Sequence, residues 1–236
     1  MLKFFYLFIL LFFLVYLLYS YILTIEKVTN NKNPSLKKDG YLILKNMKKE
    51  NVLNILPHGY HFLDYKYSIK GCSLSTFHRD VTSSQYIFKT KYPVYTYIKY
   101  FNTGPHLSIC PGSHLTVPNL FNNPEIIYGE KGDSYLFNCD LVHAGAMNRF
   151  GKSRFVVQYK IAHQSDFPKL KDLHGLYKDK IGNCNINSLT EIFLRKCSLM
   201  FSYIGNHVLT PYLQRNDNTF FNKLLLKLYG RSFYNK

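Results

Sequence analysis

Between residues 71 and 163 the chain is cut at intervals of roughly 10–15 residues by Gly, Pro, Asn and Asp. The runs between the cuts are rich in Tyr, Phe, Val and Ile. They are 72–78, 84–90, 94–101, 106–110, 125–129, 134–139 and 154–162, with an earlier one at 40–46. Short strands at this spacing predict an antiparallel sandwich or barrel. A short helix is expected over 49–56, and no internal repeat is visible.

Residues 4–24, "FFYLFILLFFLVYLLYSYILT", carry no charge. At about 1.5 Å per residue such a run matches a hydrocarbon core, so a transmembrane anchor is expected over 1–25. A cleaved signal peptide fits less well, because its apolar region is shorter and ends in small residues. Lys27, Lys32, Lys37 and Lys38 follow the run, which places the body in the cytosol by the positive-inside rule. The only N-x-S/T triplet, Asn33-Pro34-Ser35, contains proline, in keeping with that side. The expected localisation is therefore a single-pass membrane protein with a cytosolic catalytic domain.

Polar residues 26–39 read as a linker, 40–165 as the β core and 166–236 as a helical extension. Within the extension, Phe220, Phe221, Leu224, Leu225 and Leu228 share one helical face, with Lys223, Lys227 and Arg231 on another. That stretch suits either packing on the sheet or a lipid surface.

The net charge of +16 suggests an anionic partner or simple solubility. Nucleic acid is not expected as the partner, because an anchor fits that role poorly. The five cysteines are widely spaced without a CxxC pair, which argues against a zinc site, a dithiol motif or a disulfide framework.

The sharpest chemical signal is His78-Arg79-Asp80. In a strand, residues i and i+2 face the same side, so an imidazole and a carboxylate can aim at one point while Arg79 faces away. They would make two-thirds of a 2-His-1-carboxylate triad for Fe(II). Roughly 0.5 His-x-acid pairs are expected by chance in this composition, so the pair alone is weak.

His143 ends a strand-like run and is followed by a Gly-containing turn. A hairpin turning near Arg149 and Phe150 would set His143 opposite Val156 and Arg154 opposite Gly145. Arg154 would then stand one layer from the metal, its planar fork suited to a carboxylate.

Four phrases together, "FHRD", "GPHLSICPGSH" (104–114), "GDSYLFNCDLVHAGAMN" (132–148) and "SRFVVQYK" (153–160), resemble the phytanoyl-CoA dioxygenase family over roughly 40–165. The resemblance implies a double-stranded β-helix of the jelly-roll or cupin-like kind, with flanking helices. It implies Fe(II) held by His78, Asp80 and His143, and the distal carboxylate of 2-oxoglutarate held by Arg154. Ascorbate is the further requirement it raises.

The resulting expectation is a membrane-anchored Fe(II)- and 2-oxoglutarate-dependent dioxygenase hydroxylating a small or lipid-like substrate. A protein or peptide hydroxylase is an alternative, as is a non-catalytic membrane protein on the same scaffold. His114 is expected in a structural turn, His106 within the sheet, and Arg149 exposed. One of Tyr95, Tyr97 and Lys99 is a candidate to reach 2-oxoglutarate.

Overall fold

Most of the runs that lie between turn residues in the sequence form strands. The computed structural model describes residues 2–71, 76–116, 122–147, 153–181 and 189–202. After helix α1 (Leu2–Leu23) come β1 (Lys27–Val28), β2 (Tyr41–Leu44), β3 (Tyr60–Phe62) and β4 (Tyr65–Gly71). The one-turn helix α2 (Gln85–Phe88) precedes β5 (Tyr95–Tyr100), β6 (Gly104–Ile109), β7 (Glu125–Gly129), β8 (Ser134–Asn138) and β9 (His143–Gly145). Long strand β10 (Arg154–His163), β11 (Leu176–Ile181) and helix α3 (Leu189–Met200) complete the elements.

Two sheets result. The smaller has the order β1-β7-β6-β9; the larger has β11-β4-β10-β5-β8-β2, with β3 added on β10. Most pairs are antiparallel, while β1·β7 and β4·β11 are parallel. The fold is thus mostly β, two mixed sheets with flanking helices.

Ile98 and Tyr100 from β5, Leu107 and Ile109 from β6, Ile127 from β7 and Val156 from β10 fill the space between the sheets. The outer face of the larger sheet is also covered, by Val52 and Leu56 of a 3-10 segment, Lys49–Ile55, and its end. All five residues of β8 are consequently buried, as expected of a strand covered on both faces.

Several expectations are corrected. Residues 84–90 are not a strand: α2 forms because the Asp140 carboxylate accepts from Gln85 N at 2.9 Å and from Ser84 Oγ, satisfying the helix start. Within 72–78, residues 76–78 are described and His78 makes only an isolated bridge to His143. Segment 26–39 carries strand β1, and the region after 165 adds strand β11 as well as helix. The amphipathic stretch around 219–236 lies outside the described residues.

The membrane placement does not hold. Among the described residues, no helix is long and apolar enough to cross a membrane. Most α1 side chains are exposed, but its C-terminal end is tied to the protein body. Tyr16 Oη donates to Met200 O at 2.9 Å, and Lys196 Nζ donates to Tyr21 O at 3.0 Å and Thr24 Oγ1 at 2.8 Å. The expected single-pass localisation with a cytosol-facing body is overturned because no described helix is long and apolar enough to cross, and membrane contact through 4–24 is not shown.

Candidate metal centre

His78 and Asp80 lie on an extended stretch beside β9. His78 N donates to His143 O and His143 N donates to His78 O, each at 2.9 Å, so the two histidines pair backbone to backbone. Arg79 points away, as alternation requires. It is buried, and its Nη2 donates to Ser113 O at 2.8 Å and Thr116 O at 2.6 Å. Asp80 N donates to Cys139 O at 2.8 Å. The stretch is therefore held from both sides.

Each of His78, Asp80 and His143 offers a ligand atom, and these atoms lie within 4.8 Å of one another. Asp80 Oδ1 is 3.8 Å from His78 Nε2 and 3.7 Å from His143 Nε2. In both rings Nδ1 is 2.9 Å from a carbonyl two residues back, Thr76 O for His78 and Leu141 O for His143. A carbonyl only accepts, so Nδ1 carries the proton and each Nε2 presents a lone pair toward the carboxylate. The side chain of His78 is 35% exposed and that of His143 7%, so the cluster opens to solvent on the His78 side.

The other oxygen of Asp80 is already engaged. Oδ2 accepts from Thr96 Oγ1 at 2.6 Å and from Lys160 Nζ. Thr96 and Lys160 stand directly opposite each other on β5 and β10. Burial pushes the Asp80 carboxyl up, but Lys160, His143 and His78 outweigh it and hold the group below the usual carboxylate range. For His143, burial outweighs the Asp80 carboxylate and pushes the imidazole down to about 4, so it is neutral at pH 7.

Arg154 arrives by a route unlike the expected hairpin. β9 pairs with β6 in the smaller sheet, and β10 pairs with β3, β4 and β5 in the larger. His143 therefore does not face Val156 in a ladder; Val156 pairs with Ile69 and Tyr100. The sheets face each other, and buried Arg154 reaches across to β9. Its Nη1 donates to Ala146 O at 3.4 Å, and a Cβ on Gly145 would overlap the guanidinium. The expected neighbour, Gly145, is met through space instead of through a ladder.

Other expectations meet varied outcomes. His114 sits in a 3-10 turn, Ser113–Leu115, with Nε2 3.3 Å from Lys37 O. His106 lies within β6, stacked on Tyr100 and bonded to Tyr135 Oη at 2.9 Å and Asn102 O at 2.6 Å. Tyr97 packs on the outer face of the larger sheet, and Arg149 lies outside the described residues. Lys160 and Thr96 were missed. Lys160 shares strand parity with Arg154, but parity alone does not distinguish it from a solvated lysine.

No protein-family model matches the chain and no curated protein matches it. Solved structures do. SnoN, a non-heme α-ketoglutarate-dependent epimerase from nogalamycin biosynthesis, is 13% identical over 54% of this chain and 79% of that one, with a TM-score of 0.36. HygX from Streptomyces hygroscopicus, solved with nickel and 2-oxoglutarate bound, is 12% identical over 54% of this chain and 84% of its own, with a TM-score of 0.38. AviO1 from Streptomyces viridochromogenes Tue57 is 13% identical over 54% and 91%, with a TM-score of 0.36. Likenesses this distant say nothing about the chemistry of this chain, and membership of the phytanoyl-CoA dioxygenase family is not shown.

Proposed function

We propose that this chain is an Fe(II)- and 2-oxoglutarate-dependent oxygenase whose catalytic unit is residues 40–165. The observation that carries the reading is the convergence of His78 Nε2, Asp80 Oδ1 and His143 Nε2, with both imidazole tautomers set for ligation. Two imidazoles and one carboxylate suit a divalent first-row metal and leave coordination positions open.

His78, Asp80 and His143 would hold the iron. Fe(II) there, with dioxygen and the keto acid, supplies oxidation of a substrate C–H bond coupled to decarboxylation of 2-oxoglutarate. Arg154 would hold the distal carboxylate of 2-oxoglutarate. Gly145, on which its guanidinium rests, is two residues from His143, about 7 Å along the strand, a span a five-carbon dicarboxylate can bridge. Phe137, Tyr100 and Val156 form an apolar wall that keeps water from the inner side. The exposed side of His78 is the way in for substrate.

Anaerobic Fe(II) titration followed by exposure to oxygen tests the reading. One equivalent of iron should bind, and 2-oxoglutarate should be converted to succinate slowly without substrate. Asp80→Ala should lower succinate release at least about 100-fold by removing the anionic ligand. A wild-type chain that binds no iron, or an Asp80→Ala chain with full succinate release, would overturn it.

A further inference from the structure

The two oxygens of Asp80 face different worlds. Oδ1 looks at both Nε2 atoms, at 3.8 and 3.7 Å. Oδ2 is turned to the larger sheet, where it accepts from Thr96 Oγ1 at 2.6 Å and from Lys160 Nζ. Lys160 is fully buried, and its ammonium also donates to Thr96 Oγ1 at 2.7 Å and Cys139 Sγ at 3.5 Å. Burying an ammonium is costly, so a buried lysine commits its strand to this partner. Register keeps the pair together: Lys160 and Thr96 are cross-strand partners with both side chains on the inner face.

The arithmetic of coordination gives this a consequence. An octahedral ion bound by three protein donors has three positions left. A keto acid binding through two atoms and dioxygen binding through one would use all three. A carboxylate that rotates to chelate with both oxygens takes one of them away.

We propose that Lys160, assisted by Thr96, is a positioning residue that restricts Asp80 to one-oxygen coordination and so keeps a position open for the cosubstrates. The inference rests on reading His78, Asp80 and His143 as a metal site. Lys160 acts through Asp80 and touches neither metal nor cosubstrate.

The full chain loaded with Co(II), whose visible absorption reports ligand number and geometry, tests it. Lys160→Met should change the Co(II) spectrum and weaken 2-oxoglutarate binding to the loaded protein at least about 10-fold by calorimetry. Lys160→Arg, which keeps a cation and donors, should return both toward wild type. Thr96→Val should shift both in the same direction by less, and it carries the test if Lys160→Met does not fold. If the variants bind Co(II) with the wild-type spectrum and 2-oxoglutarate affinity, lowering only thermal stability or loaded fraction, Lys160 is merely structural and the proposal is wrong. A wild-type chain that takes up no Co(II) would instead remove the metal site, and the inference with it.

Discussion

At the scale of single residues, Gly145 is the most exposed to test. It follows His143 by two positions on β9, so the space where its side chain would stand lies on the metal side of the strand. That space is filled by the Arg154 guanidinium. Gly145→Ala should push the guanidinium aside while leaving the His143 backbone pairing intact. Losing a charge-assisted pair with a carboxylate costs roughly 1.5–3 kcal/mol, so 2-oxoglutarate affinity should fall about 10- to 100-fold. Co(II) affinity should stay near wild type. Calorimetric titration of both ligands checks the split, and equal loss of metal and cosubstrate would argue against Arg154 as the carboxylate holder. The His-x-Asp spacing and both distant residues were legible in the sequence. Lys160 was not, because a lysine in an alternating strand looks like any solvated residue until its partner, 80 positions away, is known.

At the scale of elements, α3 is docked by one buried ion pair. Arg195 Nε and Nη2 donate to the two oxygens of Glu26 at 2.6 and 2.9 Å, and Nη1 donates to Gly145 O at 3.0 Å. The segment before β1, helix α3 and the edge strand β9 are thereby joined, and Phe77 lies under the guanidinium at 4.4 Å. Burial pushes the Glu26 carboxyl up, but Arg195, helped by Ser108 and Lys196, holds it below the usual range. A depressed carboxylate contributes stability above its unfolded-state value, roughly pH 4.3 for a glutamate, and loses it as pH falls through the lowered folded value. Glu26→Gln should therefore destabilise by about 3 kcal/mol at pH 7, the low end for a broken buried pair, and by progressively less below about pH 4. Urea unfolding of both chains at several pH values measures this; a deficit independent of pH would mean the charge is not what matters. The linker reading of 26–39 missed this bracing because an isolated glutamate in a polar stretch gives no hint of an arginine 169 positions away.

At the scale of the whole molecule, the metal centre joins the two sheets. His143 belongs to the smaller, Asp80 is tied through Lys160 and Thr96 to the larger, and His78 bridges to β9. An ion bound there should stabilise the fold as one unit. At a free concentration about 100 times its dissociation constant, it contributes about 2.7 kcal/mol. For a chain of this length that corresponds to a rise in Tm of about 5–10 °C. Thermal unfolding with Co(II), and again after chelation, should show a reversible shift of that size, absent in Asp80→Ala. A shift that survives in Asp80→Ala would place the ion elsewhere.

What the sequence determined alone was local. Runs of strand-forming residues between Gly, Pro, Asn and Asp marked β5, β7, β8 and β10 nearly to their ends, and a spacing of two brought His78 and Asp80 to one side, because these depend on local sequence and backbone geometry over a few residues. Asp140 beside α2 shows the limit: residues 84–90 have strand-forming side chains, and a carboxylate 55 positions away capped them into a helical turn. Strand pairing lay equally beyond reach. Every strand carries the same backbone donors and acceptors, so pairing is chosen by what else packs around it. Only the tertiary structure put β9 and β10 in opposite sheets, sent Arg154 across the gap to Gly145, and buried Lys160 against the outer oxygen of Asp80.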